Sequence, residues 1–265
     1  MLLPALIALA VVQDVSWEPA VPRQGSLIVI SAPGAITGEV AGEPLHFSDG
    51  QAFAAVPLGT SKSTAVNVLY LRWDGAILGK TVHVPLTARP ESRERIRVAR
   101  RFTQPPDSAL QARIDRERVR SRDAARRAHT VPRLWWTPFM QPRDARVTSP
   151  FGGGRVVNGV RRSVHYGLDL DGRRGEPVKV ANRGVVALVG DFFYGGISVY
   201  VHHGDGLMTV YHHLSRTLVA VGDTVQRGQI IGRVGATGRV TGPHLHWGAQ
   251  YGTVSFDPTD LLNLP

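Results

Sequence analysis

Apolar positions in this chain come in short runs punctuated by Gly, Pro, Asp and Ser, a pattern that predicts strands along most of its length. Between residues 26 and 86 the runs include Leu27-Ile28-Val29-Ile30 and Val66-Asn67-Val68-Leu69-Tyr70-Leu71, and Asp74-Gly75 between two runs signals a hairpin. Residues 17–88 are therefore expected to form a small β-sandwich. Nothing there clusters His, Asp or Glu as a reactive site would, so this unit reads as non-catalytic.

The texture changes after Pro105-Pro106. Residues 107–129 lack Gly and Pro, open on the cap-type pair Asp107-Ser108 and are rich in Arg and Ala, which predicts a helix. Its apolar positions, chiefly Leu110, Ile114 and Val119, make only a thin stripe, so the helix is expected on the surface, joining two domains. Residues 89–146 are read as a basic, partly helical linker, with 131–146 as its exposed end. From residue 147 onward glycines are frequent and no 3.6-residue period is sustained. Residues 147–265 are expected to form a domain of antiparallel β-sheet, with residues 221–232 making a hairpin like those of lipoyl and biotinyl carrier modules. The fold class is mainly β.

Composition sharpens this picture. Cysteine is absent, so any transition metal must be held by His and carboxylate, and a hydrophobic content of 43% is enough for buried cores. Residues 1–12 are almost wholly apolar yet short of the ~20 residues that span a bilayer. They are read as the core of a signal peptide over residues 1–13, which implies export; a buried first strand is the competing reading. The net charge of +10 is unevenly placed, with nets of −2, +9 and +3 over residues 1–88, 89–146 and 147–265. No aromatic residues interleave with the arginines of the helix, which argues against nucleic acid as a partner and leaves a solvated segment with at most an affinity for anionic polymers.

Seven of the ten histidines fall between residues 165 and 246, so candidate chemistry concentrates in the last domain. In His165-Tyr166-Gly167-Leu168-Asp169 the alternation argues for a strand, in which His165 and Asp169 would sit ~13 Å apart. Holding one ion would require a bend at Tyr166-Gly167, which glycine permits. In His244-Leu245-His246 the two imidazoles share a face while Leu245 points into the core. That arrangement suits either chelation by both or one ligand beside one base. In Tyr211-His212-His213-Leu214, parity groups His213 with Tyr211 and Thr209, and assigns His213 to the cleft.

In this order, these segments resemble the lysostaphin-type (LytM-like) zinc metalloendopeptidases, which are peptidoglycan hydrolases. The landmarks are Ser149-Pro150-Phe151-Gly152, His165 to Asp169, His203-Gly204-Asp205-Gly206-Leu207, Tyr211 to Leu214, Gly222-Asp223-Thr224-Val225 and Thr241-Gly242-Pro243-His244-Leu245-His246. The resemblance covers roughly residues 147 to 262. It implies one zinc ion per chain held by His165, Asp169 and His246, with His213 and His244 unbound but facing the metal. A catalytic zinc with three protein ligands and one open position agrees with that count. The implied reaction is attack of a zinc-activated water on a peptide bond of peptidoglycan, with His213 and His244 as base and oxyanion stabiliser. His244 is favoured as base because its strand sets it beside His246.

The resemblance also implies a periplasmic or extracellular location, peptidoglycan peptides as partners and contact between the basic segment and anionic cell-wall polymers; a monomer is expected. The chain departs from common family forms at His212, Val240 and Trp247-Gly248, positions that bear on substrate preference. Two other classes compete. A non-catalytic cell-wall regulator would have lost ligands, whereas all five positions are present here. A carrier domain needs a lysine at a hairpin tip, and of Lys62, Lys80 and Lys179 the last lies inside a strand-like run. Every candidate group lies in residues 147–265, which alone are expected to form the zinc-binding hydrolase.

Overall fold

Alternation along Leu27–Ser31 buries Ile28 and Ile30 among Val40, Val66, Val68 and Val84, and the neighbouring strand Gln51–Ala55 turns Ala52 and Ala54 the same way. A computed structural model of the protein describes residues 14–59, 61–90 and 93–264. Within it, Ser16–Glu18, Leu27–Ser31 and Gln51–Ala55 form one sheet, and Ala35–Val40, Glu43–Pro44, Ser63–Leu71 and Ile77–Pro85 form the sheet facing it. Asp74-Gly75 closes the hairpin whose last register pair is Leu71 opposite Ile77.

Leu27, Phe53 and Ala55 point out of this sandwich and join the core of the C-terminal sheet. Burial on both faces is why Leu27-Ile28-Val29-Ile30 is a continuous apolar run rather than an alternating one. Polar ties reinforce the contact. The Arg89 guanidinium pairs with Asp257 at 2.9 Å, and Asp260 accepts from the Leu27 N–H at 2.8 Å. Glu43, buried, accepts from the Thr253 N–H at 2.8 Å and lies 2.9 Å from His129 Nε2.

The segment between the two sheets is docked, not solvated. The helix Ser108–Arg127 begins where the Asp107 carboxylate accepts from the Leu110 N–H at 2.8 Å. Ala124 and Ala125, with Ala128 just beyond the helix, pack on Leu188, Phe192, Tyr200, Met208 and Val210. The predicted stripe is corrected at Val119, which is exposed; the small alanines make the contact face because they let the helix approach the sheet closely. Residues 131–146 are not an exposed linker either. Trp135 and Phe139 are both 3% exposed in the C-terminal core, and the Met140 N–H donates to the Ala181 carbonyl at 3.0 Å.

The C-terminal sheet has ten strands among the described residues. Its main path runs through Thr224–Val225, Gly184–Phe192, Gly196–Gly204, Leu207–Thr217, His244–Tyr251, Leu168–Asp171 and Val147–Ser149, antiparallel throughout. Leu170, Tyr211, Leu214, Leu245 and Trp247 fill the core beneath it, each fully buried. Residues 221–232 do not pair with themselves as a hairpin would. Thr224–Val225 pairs with Gly184–Phe192, whereas Ile230–Val234 pairs with Pro177–Lys179 and Leu207–Thr217.

A separate sheet joins Arg161–Val164, Gly154–Val157 and, in parallel, the strand Arg93–Ile96 from the basic segment. No described helix is long and apolar enough to cross a membrane. The apolar leader, and the signal-peptide reading with it, falls outside the described residues.

Candidate metal centre

Sheet register assembles most of the site. Ser149, Asp169, His246 and His212 stand opposite one another on four adjacent strands and form one transverse row. Their neighbours Leu170, Leu245, Tyr211 and Trp247 face the core, so period-two alternation delivers the polar groups to the opposite surface. His244 lies in the next row, opposite Asp171.

His165 is outside this register. It falls between the strands Arg161–Val164 and Leu168–Asp171, where the chain bends. The bend depends on Gly167, since a Cβ there would run into the His246 ring and the Trp247 carbonyl oxygen. Backbone bonds fix the bend from the other side: the His165 N–H donates to the Gly153 carbonyl at 2.9 Å, and the Gly152 N–H donates to the His165 carbonyl at 2.8 Å.

His165 Nε2, Asp169 Oδ1 and His246 Nδ1 lie 2.9 Å from one another. That triangle is close to the ~3.3 Å edge of a tetrahedron with bonds of ~2.0–2.1 Å, the dimensions of a zinc site. The tautomers point the same way. His165 Nδ1 is 2.9 Å from the Pro150 carbonyl, which only accepts, so Nδ1 carries the proton and Nε2 turns its lone pair to the carboxylate. Two acceptors facing each other in a buried setting are repulsive unless a cation lies between them. Burial drives the His246 imidazole down to about 4, against the pull of Asp169. Burial alone would raise Asp169, but the His165 and His246 side chains against it hold its carboxyl far below the usual range. A neutral imidazole and an ionised carboxylate are the forms that ligate a metal.

His213 and His244 face the same space without joining the triangle, their ring centroids 5.0 Å apart. His213 Nδ1 lies 2.9 Å from the Thr237 carbonyl, and His244 Nδ1 lies 2.9 Å from the Gly242 carbonyl. In both rings the proton sits on Nδ1 and Nε2 is left to the cleft. His244 Nε2 is 3.6 Å from Asp169 Oδ1.

Parity does not explain the position of His213. Tyr211 and Thr209, which share its parity, are buried on the core side, and it is His212 that pairs in register with His246. His213 reaches the cleft because its backbone takes a φ of 64°, which reverses the side chain at the end of the row. His212 stacks on His246 with centroids 5.2 Å apart and places Nδ1 2.7 Å from the Ser198 hydroxyl. It backs a donor rather than facing open space.

Two residues at the site carry no motif in the sequence. The Arg155 guanidinium contacts Asp169 Oδ2, donates to Ser149 Oγ at 2.8 Å and to Glu94 at 3.1 Å. Glu94 sits in an arginine-rich run that reads as solvated charge; the alternation Arg93-Glu94-Arg95-Ile96 was the one available hint of a strand with an inward face. A cleft of about 280 Å³ at the site is lined by Asp169, His213 and His244 together with Glu94, Ile96, Thr148 and residues 240–243.

Residues 163–258 match the family model for peptidase family M23. The peptidoglycan DD-endopeptidase ShyA of Vibrio cholerae is 44% identical over 103 residues, 38% of this chain and 24% of that protein. The solved catalytic domain of the antimicrobial peptidase lysostaphin from Staphylococcus simulans is 34% identical, covering 45% of this chain and 93% of that one, with a TM-score of 0.41. A crystal structure from Pseudomonas aeruginosa assigned to peptidase M23 covers 91% of this chain and 95% of its own, at 26% identity and a TM-score of 0.67. The chain belongs to peptidase family M23. It spans about a quarter of the length of the curated relatives it matches.

Proposed function

We propose that the protein is a zinc-dependent endopeptidase that hydrolyses peptide crosslinks or bridges of bacterial peptidoglycan. The observation that carries this reading is the convergence of three donor atoms 2.9 Å apart beside two further histidines whose Nε2 atoms face an open cleft. His165, Asp169 and His246 would hold the metal. Two imidazoles with one carboxylate, and no thiolate in the chain, are a donor set that catalytic zinc uses. When bound, the ion supplies a Lewis acid that activates water and polarises the scissile carbonyl.

His213 and His244 divide the remaining work. Burial, then the neighbouring His246, His244 and His212, keep the His213 imidazole well below its ordinary range, so it is neutral and Nε2 is ready to accept a proton. We assign His213 as the base in place of His244, which sequence position favoured. His244, the second histidine facing the cleft, is assigned to stabilise the oxygen that gains charge in the transition state. The proton held by His213 then passes to the leaving amine. An open groove suits an extended peptide, and the names of the relatives, a peptidoglycan DD-endopeptidase among them, favour a cell-wall substrate. Such a substrate implies action in the periplasm or outside the cell, with anionic wall polymers attracted by the basic segment.

Mass spectrometry of fragments released from purified peptidoglycan by the zinc-loaded protein tests the reading and names the bond. New amino termini are the expected result. An intact polymer after prolonged incubation would contradict it.

A further inference from the structure

Arg155 stands between two carboxylates that come from different parts of the chain. Its Nη2 contacts Asp169 Oδ2 and donates to Ser149 Oγ, which lies 3.2 Å from His165 Nδ1, while its Nε donates to Glu94 Oε2 at 3.1 Å. One guanidinium therefore links Glu94 to two of the three proposed donors. Glu94 lies outside the segment matched by the family model, on the strand Arg93–Ile96, in register opposite Arg155.

We infer that Glu94 is a positioning residue: it holds Arg155 so that the guanidinium takes Asp169 Oδ2 and leaves Oδ1 to the metal, which makes the basic segment part of the site. The inference rests on the metal-site reading above. A guanidinium is a flat fork that grips a carboxylate by both oxygens when nothing else restrains it. The Arg155 side chain is only 14% exposed and does not escape into water, and Asp169 is the other carboxylate it pairs with. Without Glu94 the fork turns onto both oxygens of Asp169 and competes with the ion for Oδ1. With Glu94 in place, the Nε edge is occupied and the orientation is fixed. Ser149 extends the same control to His165. Partners of metal ligands at this remove are worth ~10–100-fold in metal affinity or activity.

The test is calorimetric titration of zinc into the full chain, with peptidoglycan hydrolysis measured in parallel. Glu94→Gln should bind zinc at least ~10-fold more weakly at unchanged stoichiometry, and Arg155→Lys should do the same. Because Glu94 acts through Arg155, the double variant should be no weaker than Arg155→Lys alone. Arg95→Gln, on the exposed side of the same strand, should match wild type.

Wild-type zinc affinity in Glu94→Gln would overturn the inference, as would additive losses in the double variant. So would faster hydrolysis by Glu94→Gln, which would make Glu94 an obstruction of the cleft. Should Glu94→Gln unfold at a lower temperature than wild type without zinc, Arg155→Lys decides, and undiminished zinc affinity there overturns the inference. Failure of the metal-site reading looks different: the wild-type chain would take up no zinc, or Asp169→Ala would bind it as well as wild type.

Discussion

Asp169 and His246 face one another across neighbouring antiparallel strands, with Oδ1 2.9 Å from Nδ1. Two of the three proposed donors are thus brought together by strand pairing alone. A slip of one residue would exchange His246 for a core side chain such as Leu245 or Trp247, so folding in register and forming the site are one event. The third donor, His165, depends on a bend that only glycine allows.

That dependence is open to mutation. In Gly167→Ala the added methyl meets the His246 ring and the Trp247 carbonyl, and the backbone or the imidazole must move. Zinc affinity and hydrolysis are expected to fall together, with a loss of ~1–3 kcal/mol in stability. Chemical denaturation and zinc titration of the purified variant measure both, and wild-type values for each would show that the contact is not restrictive.

Acid should destabilise the protein through its buried histidines. Burial pushes His203 down to about 4 and His212 down to about 3. Between an unfolded value near 6.5 and those folded values the unfolded chain binds more protons, so stability is full above about pH 6.5 and drains as the pH falls towards 4. Asp260 acts in the opposite sense, since burial raises it to about 6, but it is one group against several. Urea unfolding from pH 7 to pH 4 should show a fall of a few kcal/mol. A flat profile would mean that these imidazoles are hydrated.

The N-terminal sandwich and the docked segment should matter to stability as much as to targeting. A chain beginning at Val147 keeps every proposed ligand but loses Leu27, Phe53, Trp135 and Phe139 from one continuous core. Each large aromatic is worth ~3–5 kcal/mol against a total of ~5–15. The truncated chain is therefore expected to lose cooperative unfolding, contrary to the expectation that residues 147–265 suffice. Phe53→Ala in the full chain should cost ~3 kcal/mol. Equal thermal midpoints for the truncated and full chains would refute this.

What the sequence made legible was governed by local rules. Alternation located the strands and put Leu245 in the core between His244 and His246, and the spacing from His165 to Asp169 demanded the bend that Gly167 makes. Where a feature depends on distant partners, local rules were blind. Trp135 and Phe139 lie in a Pro-rich stretch with no period, and they become core only because a sheet passes over them. Periodicity of large apolar side chains selects Val119, whereas the close approach of helix to sheet selects the small alanines instead. His213 follows from a left-handed backbone that parity does not encode, and Arg155 and Glu94 have meaning only once two strands are laid side by side.

The central claim is the division between three ligands and two catalytic histidines, and zinc stoichiometry by elemental analysis tests it most directly. Full-length His246→Ala and Asp169→Ala should lose metal and hydrolysis together. His213→Ala and His244→Ala, each first shown to be folded, should keep close to one zinc per chain while turnover falls by ~100-fold or more. Retention of zinc in His246→Ala with its loss in His244→Ala would contradict the assignment and the mechanism built on it.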